Sequence, residues 1–146
     1  MIRRKDGTLL SDAGKHLDLS EQDLREGDFR GVYIEFGNLS DSDLQGVDFS
    51  GAHLYGINFY RANCSGCNFT GALLQGVVLD EVNLSRVNFA DARLVADNMG
   101  FTCSLRGTDL RGTILANALL TGCKYDPFTQ FPDGFDPVAQ GMIRVD

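Results

Sequence analysis

The side chains best equipped for chemistry are few and oddly placed. Cys64 and Cys67 form a C-x-x-C pair, Cys103 and Cys123 stand twenty residues apart, and His16 and His53 are the only imidazoles. A C-x-x-C pair can hold a metal, but a zinc site needs four ligands and no second pair follows at ligand spacing. The two histidines are the only near-neutral bases, and neither a nucleophile motif nor a phosphate-cradling glycine loop accompanies them. Carboxylates recur at a fixed beat instead: Asp18, Asp23, Asp28, Asp43, Asp48 and Asp109 share one repeat position with Asn38, Asn58, Asn63, Asn68, Asn83 and Asn88. Asp and Asn side chains cap local turns, so this regularity is structural before it is catalytic. The expectation is a protein that is not an enzyme and has no metal or cofactor.

What positions these residues is a hydrophobic period of five. Calling the large apolar residue i, it runs Leu19, Leu24, Phe29, Ile34, Leu39, Leu44, Phe49, Leu54, Phe59, Cys64, Phe69, Leu74, Leu79, Leu84, Phe89, Leu94 and Met99, then after one extra residue Leu105, Leu110, Leu115, Leu120 and Tyr125. In a helix five residues advance about 500°, scattering these positions over every side. In a continuous strand an odd repeat throws successive residues to opposite faces. The conflict disappears if the chain bends once per quintet. Position i−2 is mostly small or β-branched, as in Val47, Ala52, Ala62 and Val87, and shares the inner side of a short pleat with i. Glycine at i+2, as in Gly46, Gly51 and Gly66, supplies freedom for a corner.

A second period counts the sides. Phe29, Phe49, Phe69 and Phe89 fall every twenty residues, as do Ala52, Ala72 and Ala92. Four corners then complete a coil, like residues stack on like, and coils sit about 4.8 Å apart. In this pattern, with Ala62-Asn63-Cys64, Val47-Asp48-Phe49 and Val87-Asn88-Phe89 as representative quintets, the chain resembles the pentapeptide-repeat proteins and their A(D/N)LXX motif. The resemblance covers residues 17 to 125. It implies an all-β fold, a right-handed quadrilateral parallel β-helix of about five and a half coils, and no single activity.

Three segments follow: an N-terminal cap at 1–16, a repeat domain at 17–125 and a C-terminal capping tail at 126–146. A solenoid's ends expose unpaired edges and apolar lumen. Leu9 and Leu10 are expected to fold over the first coil, and the phenylalanines of the tail over the last, with a short helical turn from Pro137 to Gln140; a peptide docking motif is the other reading of the tail. An irregularity near 97–104 puts Asp97 in an inward slot and either displays Phe101 or tucks it back. It is a tolerated insertion or a recognition loop. The four cysteines read as small buried hydrophobes. Cys103 and Cys123, one coil apart in one column, are also within reach of a disulfide, although a cytosolic setting favours free thiols.

No segment has the roughly 20 apolar residues of a membrane span and Met1 to Lys15 lacks a signal peptide's hydrophobic stretch, so a cytoplasmic location without membrane contact is expected. Residues 17–50 hold nine acids against Arg25 and Arg30, while 51–125 hold five acids and six bases. The acidic first coils oppose direct nucleic-acid binding and suit a basic protein partner. Some members of the family bind DNA gyrase by imitating duplex DNA, and that is the alternative function; it needs negative charge along the whole rod. The sorted sides favour another surface. With Ile34, Leu54, Leu74, Leu94 and Leu115 taken as one inward column, the outward neighbours are Tyr33, His53, Leu73, Arg93 and Ile114 beside Tyr55, with Phe36, Val78 and Leu119 adjoining. The column of phenylalanines is flanked by polar residues. The expectation is a non-catalytic scaffold whose apolar side binds a protein partner or a second copy of itself.

Overall fold

The computed structural model describes residues 2–4, 9–11 and 17–146. From Leu17 the chain winds into a square, right-handed coil, and the hydrogen bonds around Phe49 show how one quintet builds one side. Phe49 N–H donates to Asn68 O at 2.7 Å, Asn68 N–H donates to Val47 O at 3.1 Å, and Ala52 N–H closes the corner on Phe49 O at 3.0 Å. Each side is thus a minimal parallel ladder followed by a turn. The residue at i+2 is left-handed at nearly every corner, including side-chained residues such as Phe36 (φ 55), Arg61 (φ 57) and Arg86 (φ 58). Glycine eases this conformation, but the closing geometry imposes it whatever the residue.

Bridges between successive coils define four faces. The first joins Asp18, Asn38, Asn58, Val78, Ser104 and Lys124; the second Asp23, Asp43, Asn63, Asn83, Asp109 and Gln130. The third joins Asp28, Asp48, Asn68, Asn88 and Ile114, and the fourth Tyr33, His53, Leu73, Arg93 and Leu119. The residue after each of these points into the lumen in the regular coils, and Phe29, Phe49, Phe69 and Phe89 are all buried there. Phe49 and Phe69 stack with centroids 4.8 Å apart and planes 5° apart, while Phe59 meets both edge-on at 5.9 Å. Such rings each contribute about 1.5–3 kcal/mol by burial.

The irregularity differs from expectation, with consequences for the whole last coil. Met99 is not an inward residue: it is 76% exposed. The bridge offset, twenty residues in the preceding coils, becomes twenty-six between Val78 and Ser104, so a six-residue excursion replaces the single extra residue. Leu105 therefore occupies the column of Leu79, and Leu115 joins the phenylalanine column. Ile114, expected beside Arg93, instead pairs with Asn88 on the third face; Leu119 takes the place beside Arg93. Without Met99 as an inward residue, the regular part closes five coils and starts a sixth at Tyr125.

At the N-terminal end β1 (Ile2–Arg4) pairs antiparallel with β2 (Leu9–Ser11) and with β3 (Gly27–Asp28), and the Ile2 side chain is fully buried. The side chains of Leu9 and Leu10, and His16, lie outside the described residues. Gly27 fills an inward slot where a Cβ would come within 2.2 Å of the Phe29 ring, so the first coil has no room for the usual alanine or valine. Further along, β4 (Tyr33–Glu35) and β5 (His53–Tyr55) form the start of the fourth face. The tail travels round once more. Gln130 bridges Asp109, and β7 (Ile143–Arg144) lies parallel to β6 (Lys124–Tyr125). Phe131 stacks on Phe135 at 5.1 Å, both pack on the core, and Met142 is buried. Phe128 faces outward, 76% exposed, unlike its neighbours. Residues 137–141 turn, with Gly141 N–H donating to Val138 O.

Candidate interaction face

On the first three faces the outward Asp and Asn side chains of the early coils are occupied by one another. Asn68 Nδ2 donates to Asp48 Oδ1 of the preceding coil at 3.2 Å, while Asn68 Oδ1 accepts from Thr70 N–H at 3.1 Å. Asn63 repeats this with Asp43 and Ser65 on the second face, and Asn38 with Asp18 and Ser40 on the first. Where a carboxylate stands alone, an arginine two residues on forks onto it, as Arg30 does on Asp28 and Arg111 on Asp109. The Arg30 hydrogen bond pushes the Asp28 carboxyl down to about 2. These acids are engaged in turns and ion pairs, the structural use that their spacing suggests.

The fourth face has no such ladder. Its outward row is Tyr33, His53, Leu73, Arg93 and Leu119. Tyr33 is 60% and Leu119 43% exposed, and the Tyr33 and His53 rings lie 5.9 Å apart. Two residues along each strand come Glu35, Tyr55 and Gln75, and the Tyr33 hydroxyl donates to Glu35. Tyr33, His53 and Leu73, with Glu35, Tyr55 and Gln75, line a shallow groove of about 300 Å³, with Leu54 in its floor and Met99 on its rim.

Met99 reaches that rim because the excursion folds back along the rod. Asp97 Oδ1 accepts from Met99 N–H at 2.9 Å and from Phe101 N–H at 2.8 Å, and Asp97 N–H donates to Phe101 O at 3.0 Å. The other carboxylate oxygen accepts the Tyr55 hydroxyl. That bond raises the Tyr55 phenol to about 12 and lowers the Asp97 carboxyl. Phe101 then packs on Phe36 at 6.0 Å and on Tyr55 at 5.8 Å, with Phe36 and Tyr55 edge-on at 5.2 Å. Gly56 makes this possible: it is left-handed (φ +63), and a Cβ there would come within 2.7 Å of the Phe36 ring. Asp97 thus turns outward and fastens a loop, where the repeat pattern places an inward residue. Behind the loop, Asp80 accepts from Ser104 Oγ, Arg106 N–H and the Arg106 guanidinium, tying the coils together across the excursion.

Among the residues expected on an apolar surface, Tyr33, His53, Leu73 and Leu119 share the outward row, Tyr55 stands beside it and Phe36 lies at its corner. Val78 is half-buried on the first face, between Asn58 and Ser104. Ile114 is 52% exposed but belongs to the third face, because the excursion shifts the register after it. The contributions of Asp97 and Met99 escape the repeat pattern; an aspartate two and four residues before amides in a glycine-containing stretch is the local turn signal for them.

All four cysteines are buried free thiols. Cys103 and Cys123, the pair considered for a disulfide, occupy adjacent coils of one column: Lys124 N–H bonds Cys103 O, and the Cys123 thiol donates to Leu94 O at 2.8 Å. Burial, with the Cys123 contact, pushes the Cys103 thiol up; the Cys67 contact, with burial, does the same to Cys64. Raised, enclosed thiols are poor nucleophiles. Among the described residues no group of three or more His, Cys, Asp or Glu could hold a metal ion, and no helix is long and apolar enough to cross a membrane.

The geometry is that of a short solenoid presenting one unladdered face, and comparison gives it a family. The pentapeptide repeat model matches in eight copies across residues 16–95 and 103–124, leaving out the excursion. The chain belongs to the pentapeptide repeat family. None of the curated proteins matches it. Among solved structures it is similar to the pentapeptide repeat protein Rfr23 from the cyanobacterium Cyanothece 51142, with 23% identity, a TM-score of 0.63, and 82% of this chain and 88% of that one covered. It is similar also to alr5209 from Nostoc PCC 7120, with 23% identity, a TM-score of 0.57, and 89% and 86% covered. A pentapeptide repeat protein from the thylakoid lumen of Arabidopsis thaliana is 25% identical, with a TM-score of 0.53 and 68% of each chain covered. These likenesses establish the fold.

Proposed function

We propose that this protein is a non-catalytic scaffold that binds another protein through its fourth face. The observation that carries the reading is the contrast between faces. Three engage most of their outward acids and asparagines in Asx ladders and arginine forks, whereas the fourth exposes Tyr33 and Leu119 and sets Tyr33, His53 and a half-buried Leu73 along a groove. Exposed apolar and aromatic side chains grouped on a rigid surface are the usual anchors of protein interfaces. A repeat scaffold supplies the rigidity, since each coil is braced by its neighbours.

Duplex mimicry directed at gyrase is the weaker reading. Its charge would have to run along the rod, yet five acids face six bases from residue 51 to 125, and Asp23, Asp28 and Asp109 are already paired with arginines. The test of the preferred reading is affinity capture from the native extract with the wild type and with the Tyr33→Ser, Leu73→Asn double variant. Partner recovery should be lost while the melting curve is preserved. Equal recovery by both proteins would reject the face.

A further inference from the structure

The charges on the fourth face are arranged so that the face is complementary to itself. Glu35 stands at its N-terminal end beside Tyr33, and Arg93 stands three coils further along the same row, with His53 and Leu73 between them. Arg25, Arg30, Arg61, Arg106 and Arg111 each meet a carboxylate; Arg93, like Arg86 and Arg144, makes no ion pair among the described residues. Its guanidinium is exposed on the row that the apolar residues occupy.

We propose that the partner at this face is a second copy of the chain, paired antiparallel about a two-fold axis lying between His53 and Leu73. The inference rests on reading the fourth face as an interaction surface and adds who occupies it. A two-fold operation that reverses the order of the coils sets Tyr33 opposite Arg93 and His53 opposite Leu73 of the other copy. Each guanidinium then lies over a tyrosine ring with Glu35 beside it, an ion pair and a cation–π contact made twice by symmetry. Met99, flexible and exposed at the groove's rim, is suited to fill what remains between the copies. The four coils involved span about 14 Å at the spacing of parallel strands. With a strip one strand wide, each copy buries a few hundred Å², below the roughly 800 Å² per partner of a standard interface, so the pairing is weak and concentration-dependent.

Translational diffusion measured by NMR from about 20 μM to 1 mM should show a monomer–dimer equilibrium with a dissociation constant on the order of 0.1 mM. Arg93→Glu should weaken it about tenfold, and the double reversal Glu35→Arg, Arg93→Glu should return it to within about threefold of wild type. A monomer throughout that range overturns the inference, as does a double reversal no better than the single change. Failure of this proposal can be told from failure of the face. If the chain stays monomeric while Tyr33→Ser, Leu73→Asn still loses a captured partner, the face stands and its occupant is another protein. If a dimer forms and survives Leu73→Asn, Tyr33→Ser and Arg93→Glu, neither reading of the face holds.

Discussion

At the scale of single residues the fold makes one repeated demand, a left-handed backbone at i+2, and meets it with glycine at some corners and with side-chained residues at others. A Cβ in that conformation costs about 1–2 kcal/mol, partly offset because glycine loses more freedom on folding. Arg86 (φ 58) is a clean case, exposed and outside the ion pairs that hold Arg61 and Arg106. Arg86→Gly should stabilise the protein by about 0.5–1 kcal/mol, read as a higher urea midpoint at unchanged slope. A lower midpoint would show that the corners do not carry the strain their dihedrals suggest. Phe36 (φ 55) is the instructive contrast, since its ring is packed against Tyr55 and Phe101 and the same relief there would remove two aromatic contacts.

At the scale of elements the excursion at 96–101 is the one departure from the repeat within the array, and one side-chain hydrogen bond, from Tyr55 to Asp97, fastens it to the fourth face. The Tyr55 phenol is raised from 10.0 to about 12 by donating to Asp97, so this contribution is complete below pH 10 and is lost as pH climbs through about 12. The Asp97 carboxyl is lowered from 3.8, so its contribution is present above that value and disappears as pH falls through the lowered one. In near-ultraviolet titration one tyrosine should ionise near pH 12, return to the ordinary range in Asp97→Ala, and vanish in Tyr55→Phe; the Phe101 amide should exchange about tenfold faster in Asp97→Ala. An unmoved tyrosine would mean that the loop is held by its aromatic packing alone. This element also marks where sequence reasoning stopped working. The coil, its four sides and the inward columns were legible because each repeat restates them, from Leu19 to Leu94. Met99 broke the reading because a methionine at the right spacing looks inward, whereas Asp97, two residues earlier, bonds the amides of Met99 and Phe101 and turns both side chains out. One misplaced beat then moved Ile114 and Leu115 to the wrong side, since in a solenoid register is cumulative. The row Tyr33, His53, Leu73 lies before the error and was legible for that reason.

At the scale of the whole molecule each coil is stabilised by its neighbours, so the two ends decide whether the rod remains a single body. The first coil is paired with β1 and shielded by Ile2; we propose that the tail from Asp126 onward does the corresponding work at the other end. It supplies ladder partners to Asp109 and Lys124 and lays Phe131, Phe135 and Met142 against the last inward residues. Each of these apolar side chains contributes about 1.5–3 kcal/mol if fully buried, and Phe131 and Phe135 are only partly so, which puts the total on the order of 4 kcal/mol. For a domain of this size, that corresponds to a fall in melting temperature of about 10 °C. A chain ending at Tyr125 should show that fall, and it should also associate as concentration rises, because an open parallel ladder above Tyr125 and Leu110 is a template for another chain. The association would differ from the two-fold pairing of the fourth face in surviving Arg93→Glu. A truncated rod that melts at the wild-type temperature and stays monodisperse would instead show that the lumen is already sealed by Tyr125 and Leu120, and that the last turn of chain only decorates it.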